Sequence, residues 1–70
     1  MKDNVRRKFG EKVRKLRAKW DYTQERLADL TGIDYKYIQR IESKNPPAVK
    51  IDTIKRIASA LKVAPSELLE

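Results

Sequence analysis

The sequence predicts an all-α fold, a compact bundle of five short helices in one small domain spanning residues 1–70. Three observations carry this. Apolar residues recur at spacings of three and four, the helical period. No run of five or more residues alternates β-branched and polar types, so strands are not expected. Four of the five Gly and Pro residues fall between the apolar stripes, where they punctuate.

The first helix is expected from about Asp3 to Lys19. Val5, Phe9, Val13, Leu16 and Trp20 form one apolar stripe. Asp3 or Asn4 caps its start by accepting a backbone N–H. Gly10 inside it costs about 1 kcal/mol against Ala, and close approach of another helix would account for it. Asp21 ends the helix, because Asp tolerates the left-handed conformation. The second helix is Thr23 to Leu30, with Thr23 as N-cap and Leu27, Ala28 and Leu30 as the inward candidates. Thr31-Gly32-Ile33 then makes a tight turn in which Gly32 takes positive φ.

The third helix is expected from about Asp34 to Ser43, capped by Asp34. Ile38 and Ile41 point inward, which leaves Tyr35, Lys36, Gln39 and Arg40 on one outward stripe. Ser43 to Lys50 is a loop stiffened by Pro46-Pro47. The fourth helix runs from about Ile51 to Leu61, with Ile54, Ile57, Ala58 and Leu61 inward. After the link Lys62-Val63, Pro65 suits the first turn of a short fifth helix reaching about Leu69.

Composition narrows the function. The chain lacks Cys and His, which removes disulfides, thiolate and imidazole metal sites, and nucleophile–His catalysis. No paired carboxylates or Gly-rich phosphate loop stand out, so no enzyme, catalytic residue, metal or cofactor is expected. No stretch approaches the roughly 20 apolar residues of a membrane span, and nothing at the start reads as a signal peptide. Neither a membrane partner nor a small-molecule ligand is expected. The net charge is +7. Residues 1–20 hold nine basic and two acidic side chains, while residues 21–70 hold eight of each sign. All the net charge therefore sits in the first segment, which suits a polyanion.

A helix, a Gly turn and a second helix, at about residues 23–43, make a helix-turn-helix pattern. The outward stripe gives it content. A solvated face would mix Glu and Lys. This one carries Tyr, Lys, Gln and Arg, whose groups can meet base edges in a major groove.

The run Thr23-Gln24-Glu25-Arg26-Leu27-Ala28, with Gly32-Ile33, Tyr37-Ile38 and Ile41-Glu42, resembles the phage repressor and Cro-type helix-turn-helix family of DNA-binding transcriptional regulators. The flanks agree: Phe9-Gly10, Val13 and Leu16-Arg17 before, and Ile54, Ile57-Ala58, Ala60-Leu61 and Val63 after. The resemblance covers roughly residues 8–69. The short length is similar to stand-alone repressors and to the controller proteins of restriction–modification systems.

The resemblance implies a lambda repressor-like five-helix domain whose third helix enters the major groove. It implies base reading by Gln24, Tyr35, Lys36, Gln39 and Arg40, and phosphate contacts from Thr23, Tyr37, Lys44 and Asn45. Arg17 and Glu42 match a structural ion pair. Val63, Ala64, Leu68 and Leu69 match a dimer contact, so the expected partners are double-stranded DNA and a second copy of the chain. The expected location is the cytoplasm of a bacterium, with the protein bacterial or phage-encoded. Among the basic residues of the first helix, Arg14 or Lys15 could reach a phosphate. Three departures from the family pattern stand out: Asp21 stands where Gly is usual, a Gly usual near Lys44 is missing, and Pro46-Pro47 occurs in only part of the family. Two alternatives stay open. One is an antitoxin or other protein-interaction module whose helices bind a partner protein. The other is a general polyanion binder driven by the first helix.

Overall fold

The computed structural model describes residues 3–69, with the side chains of residues 5–69. Five helices follow in order: α1 Asp3–Lys19, α2 Gln24–Thr31, α3 Tyr35–Ile41, α4 Ile51–Leu61 and α5 Pro65–Leu68. No strand occurs among the described residues. The expected Asp3 or Asn4 cap lies outside the described side chains.

Every helix gives the core at least one side chain. Phe9 and Val13 come from α1, Leu27 and Ala28 from α2, and Ile38 and Ile41 from α3. Ile57, Ala58 and Leu61 come from α4, and Leu68 from α5. Each fully buried Leu, Ile or Val contributes about 1.5–3 kcal/mol relative to exposure. Leu16, Ile33, Ile54 and Val63 close the margins. The inner helix α4 packs against α1, α2 and α5, while α3 packs on α1 and α2.

Several expectations shift. Leu30 is 43% exposed, and the inward residue is Thr31. Its hydroxyl donates to the Leu27 carbonyl at 2.8 Å, which lets a polar side chain close α2 from inside. Helix α3 ends at Ile41, two residues before the expected Ser43. There the Ser43 hydroxyl and backbone N–H both bond the Arg40 carbonyl, at 2.6 and 3.1 Å, and turn the chain out of the helix. Val5, at the start of the α1 stripe, is 61% exposed.

Gly10 is required by contact. A Cβ there would collide with the Ile41 carbonyl oxygen and sit 3.2 Å from its carbon. The backbones of α1 and α3 cross there with no room for a side chain. Asp21 takes φ 62°, the left-handed conformation that turns the chain from α1 toward α2. Trp20 anchors the same corner: its indole N–H donates to the Leu61 carbonyl at 2.8 Å. The Lys62 ammonium lies 4.9 Å from its ring centre, a cation–π distance.

Candidate nucleic-acid interface

The segment from Thr23 to Ser43 is fixed at each joint by a short polar bond. The Thr23 hydroxyl accepts the Arg26 N–H at 3.0 Å and starts α2. Gly32, at φ 73°, ends it, with its N–H on the Ala28 carbonyl at 2.8 Å. The Thr31 hydroxyl accepts the Ile33 N–H at 3.2 Å across the turn. Asp34 then accepts the Lys36 N–H at 3.1 Å and starts α3. The two helices are thus held at a set angle by local bonds between Thr23 and Lys36, three from side chain to backbone and one between backbone groups.

Burial of Ile38 and Ile41 fixes the rotation of α3. Tyr35, Lys36, Gln39 and Arg40 are all exposed as a result, and the helix carries no acidic residue in its first turn. Within this stripe the Gln39 amide donates to the Tyr35 hydroxyl at 3.0 Å. The two side chains therefore present a joined polar edge. Lys36 and Arg40 are cationic, and among the described residues neither forms an ion pair.

Glu42, just past α3, is the hub behind the stripe. Arg17 donates to it twice, Nε to Oε2 and Nη2 to Oε1, each at 2.9 Å. The third Arg17 nitrogen, Nη1, donates to the Tyr22 carbonyl at 2.8 Å. The Gln24 amide adds a bond to Glu42 Oε1 at 3.0 Å. Helix α1, the corner before α2, the start of α2 and the end of α3 are tied through the Arg17–Glu42 pair. Hydrogen bonding to the Glu42 carboxylate holds the Arg17 guanidinium above its ordinary pKa and outweighs the opposing effect of burial.

The remaining expected site residues fall into three groups. Gln24 is half-buried with its amide nitrogen engaged by Glu42, which adds a positioning bond to a residue expected to read bases. Thr23 is exposed, and its hydroxyl oxygen accepts the Arg26 N–H. Tyr37 is half-buried and its hydroxyl donates to the Ala48 carbonyl at 3.3 Å, which pins the loop after α3. Lys44 and Asn45 are exposed on that loop, which buried Pro46 anchors. At the far end Val63 is half-buried, Ala64 is exposed and Leu69 is 52% exposed. Leu68 does not belong with them. It is 0% exposed inside its own core, because α5 turns it onto the bundle, and it has no surface to offer a second copy.

Sequence reasoning missed the Gln24–Glu42 bond and the Thr31 clasp. A polar residue in the last turn of a helix, one place before Gly, was the signal for the clasp. Among the described residues no three potential metal ligands cluster, and no helix is long and apolar enough to cross a membrane.

A family model described as helix-turn-helix matches residues 13–68. The control protein C.BamHI of Bacillus amyloliquefaciens is 39% identical over 71 aligned positions, covering 100% of this chain and 86% of that protein. The HTH-type transcriptional repressor RghR of Bacillus subtilis is 40% identical over 55 residues, covering 79% of this chain but 41% of that longer protein. Among solved structures, the restriction-modification controller protein C.AhdI from Aeromonas hydrophila superposes with a TM-score of 0.84 at 36% identity, covering 90% of this chain and 94% of that one. The hypothetical transcription factor NHTF from Neisseria gives 0.88 at 29% identity, covering 94% and 75%.

Proposed function

The chain belongs to the helix-turn-helix family of DNA-binding transcriptional regulators, and on that premise we propose that it is a sequence-specific repressor that binds a palindromic operator as a dimer. The observation that carries this reading is the stripe on α3. Tyr35, Lys36, Gln39 and Arg40 are all exposed on a helix whose opposite face is locked into the core. Arg and Lys suit guanine, Gln suits adenine, and the Tyr ring and hydroxyl offer both apolar and polar contact. Thr23, Lys44 and Asn45 bracket this helix and would bond phosphates on either side of the groove, which sets its register. Gln24 would meet a base or phosphate while Glu42 holds its amide nitrogen.

Regulation follows from occupancy. A bound dimer blocks transcription from the sequence it covers. Likeness to a control protein over 86% of that protein's length, and to a restriction-modification controller over 94% of the other chain, supports a controlling role in a restriction-modification system. The chain offers an apolar surface for dimerisation. Leu69, at 52% exposure, and Val5, at 61%, line one cleft with Pro47 and Val49, and Ile51 at the start of α4 is 82% exposed. Val63 and Ala64, on the link before α5, are assigned to the same contact. A second subunit would cover what so small a core leaves open.

Selection of binding sites from a pool of random duplexes tests the reading. The expected product is an inverted repeat whose half-sites lie about 34 Å apart, one helical turn. A single unrepeated half-site would contradict the dimer. Failure to enrich any sequence would contradict specific recognition.

A further inference from the structure

The basic residues of α1 are sorted by type. A helix turns about 100° per residue. On that wheel Arg6, Arg7, Arg14 and Arg17 fall within an arc of about 100°. Lys8, Lys12, Lys15 and Lys19 fall within about 60° on nearly the opposite side. A helix charged only for solubility has no reason to separate the two. The structure gives the two sides different neighbours. Lys8, Lys12 and Lys15 share a shallow surface with Glu11 and with no other helix. The arginine side faces the end of α3, where two adjoining clefts meet. Arg6 and Arg7 line one with Lys44, Asn45 and Pro46. Arg7 and Arg14 line the other with Lys44 and Ser43. The close crossing at Gly10 and Ile41 brings these groups together.

We propose that Arg6, Arg7 and Arg14, with Lys44 and Asn45, form a phosphate-binding seam that holds the duplex backbone beyond the reach of the recognition stripe. The proposal rests on the reading that the chain binds duplex DNA. Forked guanidinium groups match phosphate oxygens, and Asn45 adds a neutral donor. Two carboxylates border the seam. Glu42 is already engaged by Arg17 and Gln24, and Glu11 lies between the arginine and lysine sides. Among the described residues Arg6, Arg7, Arg14 and Lys44 form no ion pair. The first helix therefore adds located contacts, and its charge is more than diffuse attraction.

The test uses the full chain and a duplex recovered by selection from the random pool. Affinity is measured against salt for the unmodified protein, for Arg6→Ala/Arg7→Ala, and for the charge-matched Lys8→Ala/Lys12→Ala. Each lost phosphate contact lowers the slope of log affinity against log salt by about 0.9. The arginine pair is expected to lower it by about 2 per bound subunit, about 4 for a bound dimer, and the lysine pair by less than half of that. Lys44→Ala, which enters the seam from the other side, is expected to lower it by about 1 per bound subunit, about 2 for a bound dimer. Melting curves show whether each variant is folded. Equal losses from the two charge-matched pairs, or no loss from the arginine pair, would overturn the seam while leaving DNA recognition intact. No duplex binding by the unmodified protein would overturn the DNA reading, and the seam with it.

Discussion

The Glu42 side chain is 3% exposed, yet three donors from two residues meet its carboxylate. That arrangement makes its partner costly to lose. Arg17→Met is expected to destabilise the fold by about 3 kcal/mol, because it leaves a buried carboxylate without its cation. Urea denaturation measures this, and Arg17→Met/Glu42→Met should recover much of the loss, since an apolar pair leaves no charge behind. The pH dependence has a definite sign. Arg17 is raised in the folded state, so its contribution is complete below the unfolded pKa and is lost only as pH climbs through the folded one. Both lie beyond ordinary buffers, so this group adds no slope to stability across neutral pH. On the recognition stripe, Tyr35→Phe removes the acceptor for the Gln39 amide. It is expected to change the preferred base opposite Gln39 while leaving the melting temperature nearly unchanged, which site selection alongside a thermal melt would show.

At the scale of elements, the two glycines make opposite demands. Gly10→Ala improves helix propensity by about 1 kcal/mol but drives a methyl into the Ile41 carbonyl. The methyl meets backbone, which no side-chain rotation can move aside, so the net effect expected is a loss of about 1–3 kcal/mol, as for overpacking. Gly32→Ala meets open space and is strained by φ 73° alone, for about 1 kcal/mol. Thermal melts of the two variants rank them, and a Gly10→Ala protein as stable as the original would show that α1 and α3 can part without cost. The helices themselves were legible. The stripe Phe9–Val13–Leu16 and the caps Thr23 and Asp34 follow rules that act within a few residues, and the spans of α1 and α4 match the expected ones. The ends of α2 and α3 were less so. They are set by the Thr31 and Ser43 hydroxyls bonding backward to carbonyls, a choice between helix and turn that nearly balances in sequence. Leu30 and Thr31 exchanged places for the same reason: propensity favours Leu inward, and the Gly32 turn favours Thr.

At the scale of the whole molecule, a core of ten buried side chains among the described residues leaves Val5, Ile51 and Leu69 at the surface. Ile51→Lys and Leu69→Lys are expected to keep the monomer folded but to shift sedimentation toward it. They should also move DNA binding to higher protein concentration with the sequence preference intact. Unchanged sedimentation in both would place the dimer contact elsewhere. Of the candidate interface, the α3 stripe was legible because two buried isoleucines fix the helix rotation. Leu68 was misplaced because periodicity cannot tell which of two adjacent leucines a four-residue helix turns inward. The arginine seam was not legible as a site because it depends on a crossing of α1 and α3 that places residues 6–14 beside residues 44–45. Comparing the sequences selected from one random pool by the unmodified protein and by Arg40→Ala tests the central claim, that the outward face of α3 reads bases, most directly. The expected result is an inverted repeat for the unmodified protein. The variant should relax one symmetry-related pair of positions within it and keep the rest. The same motif at undiminished information from both proteins, or no motif from either, would contradict it.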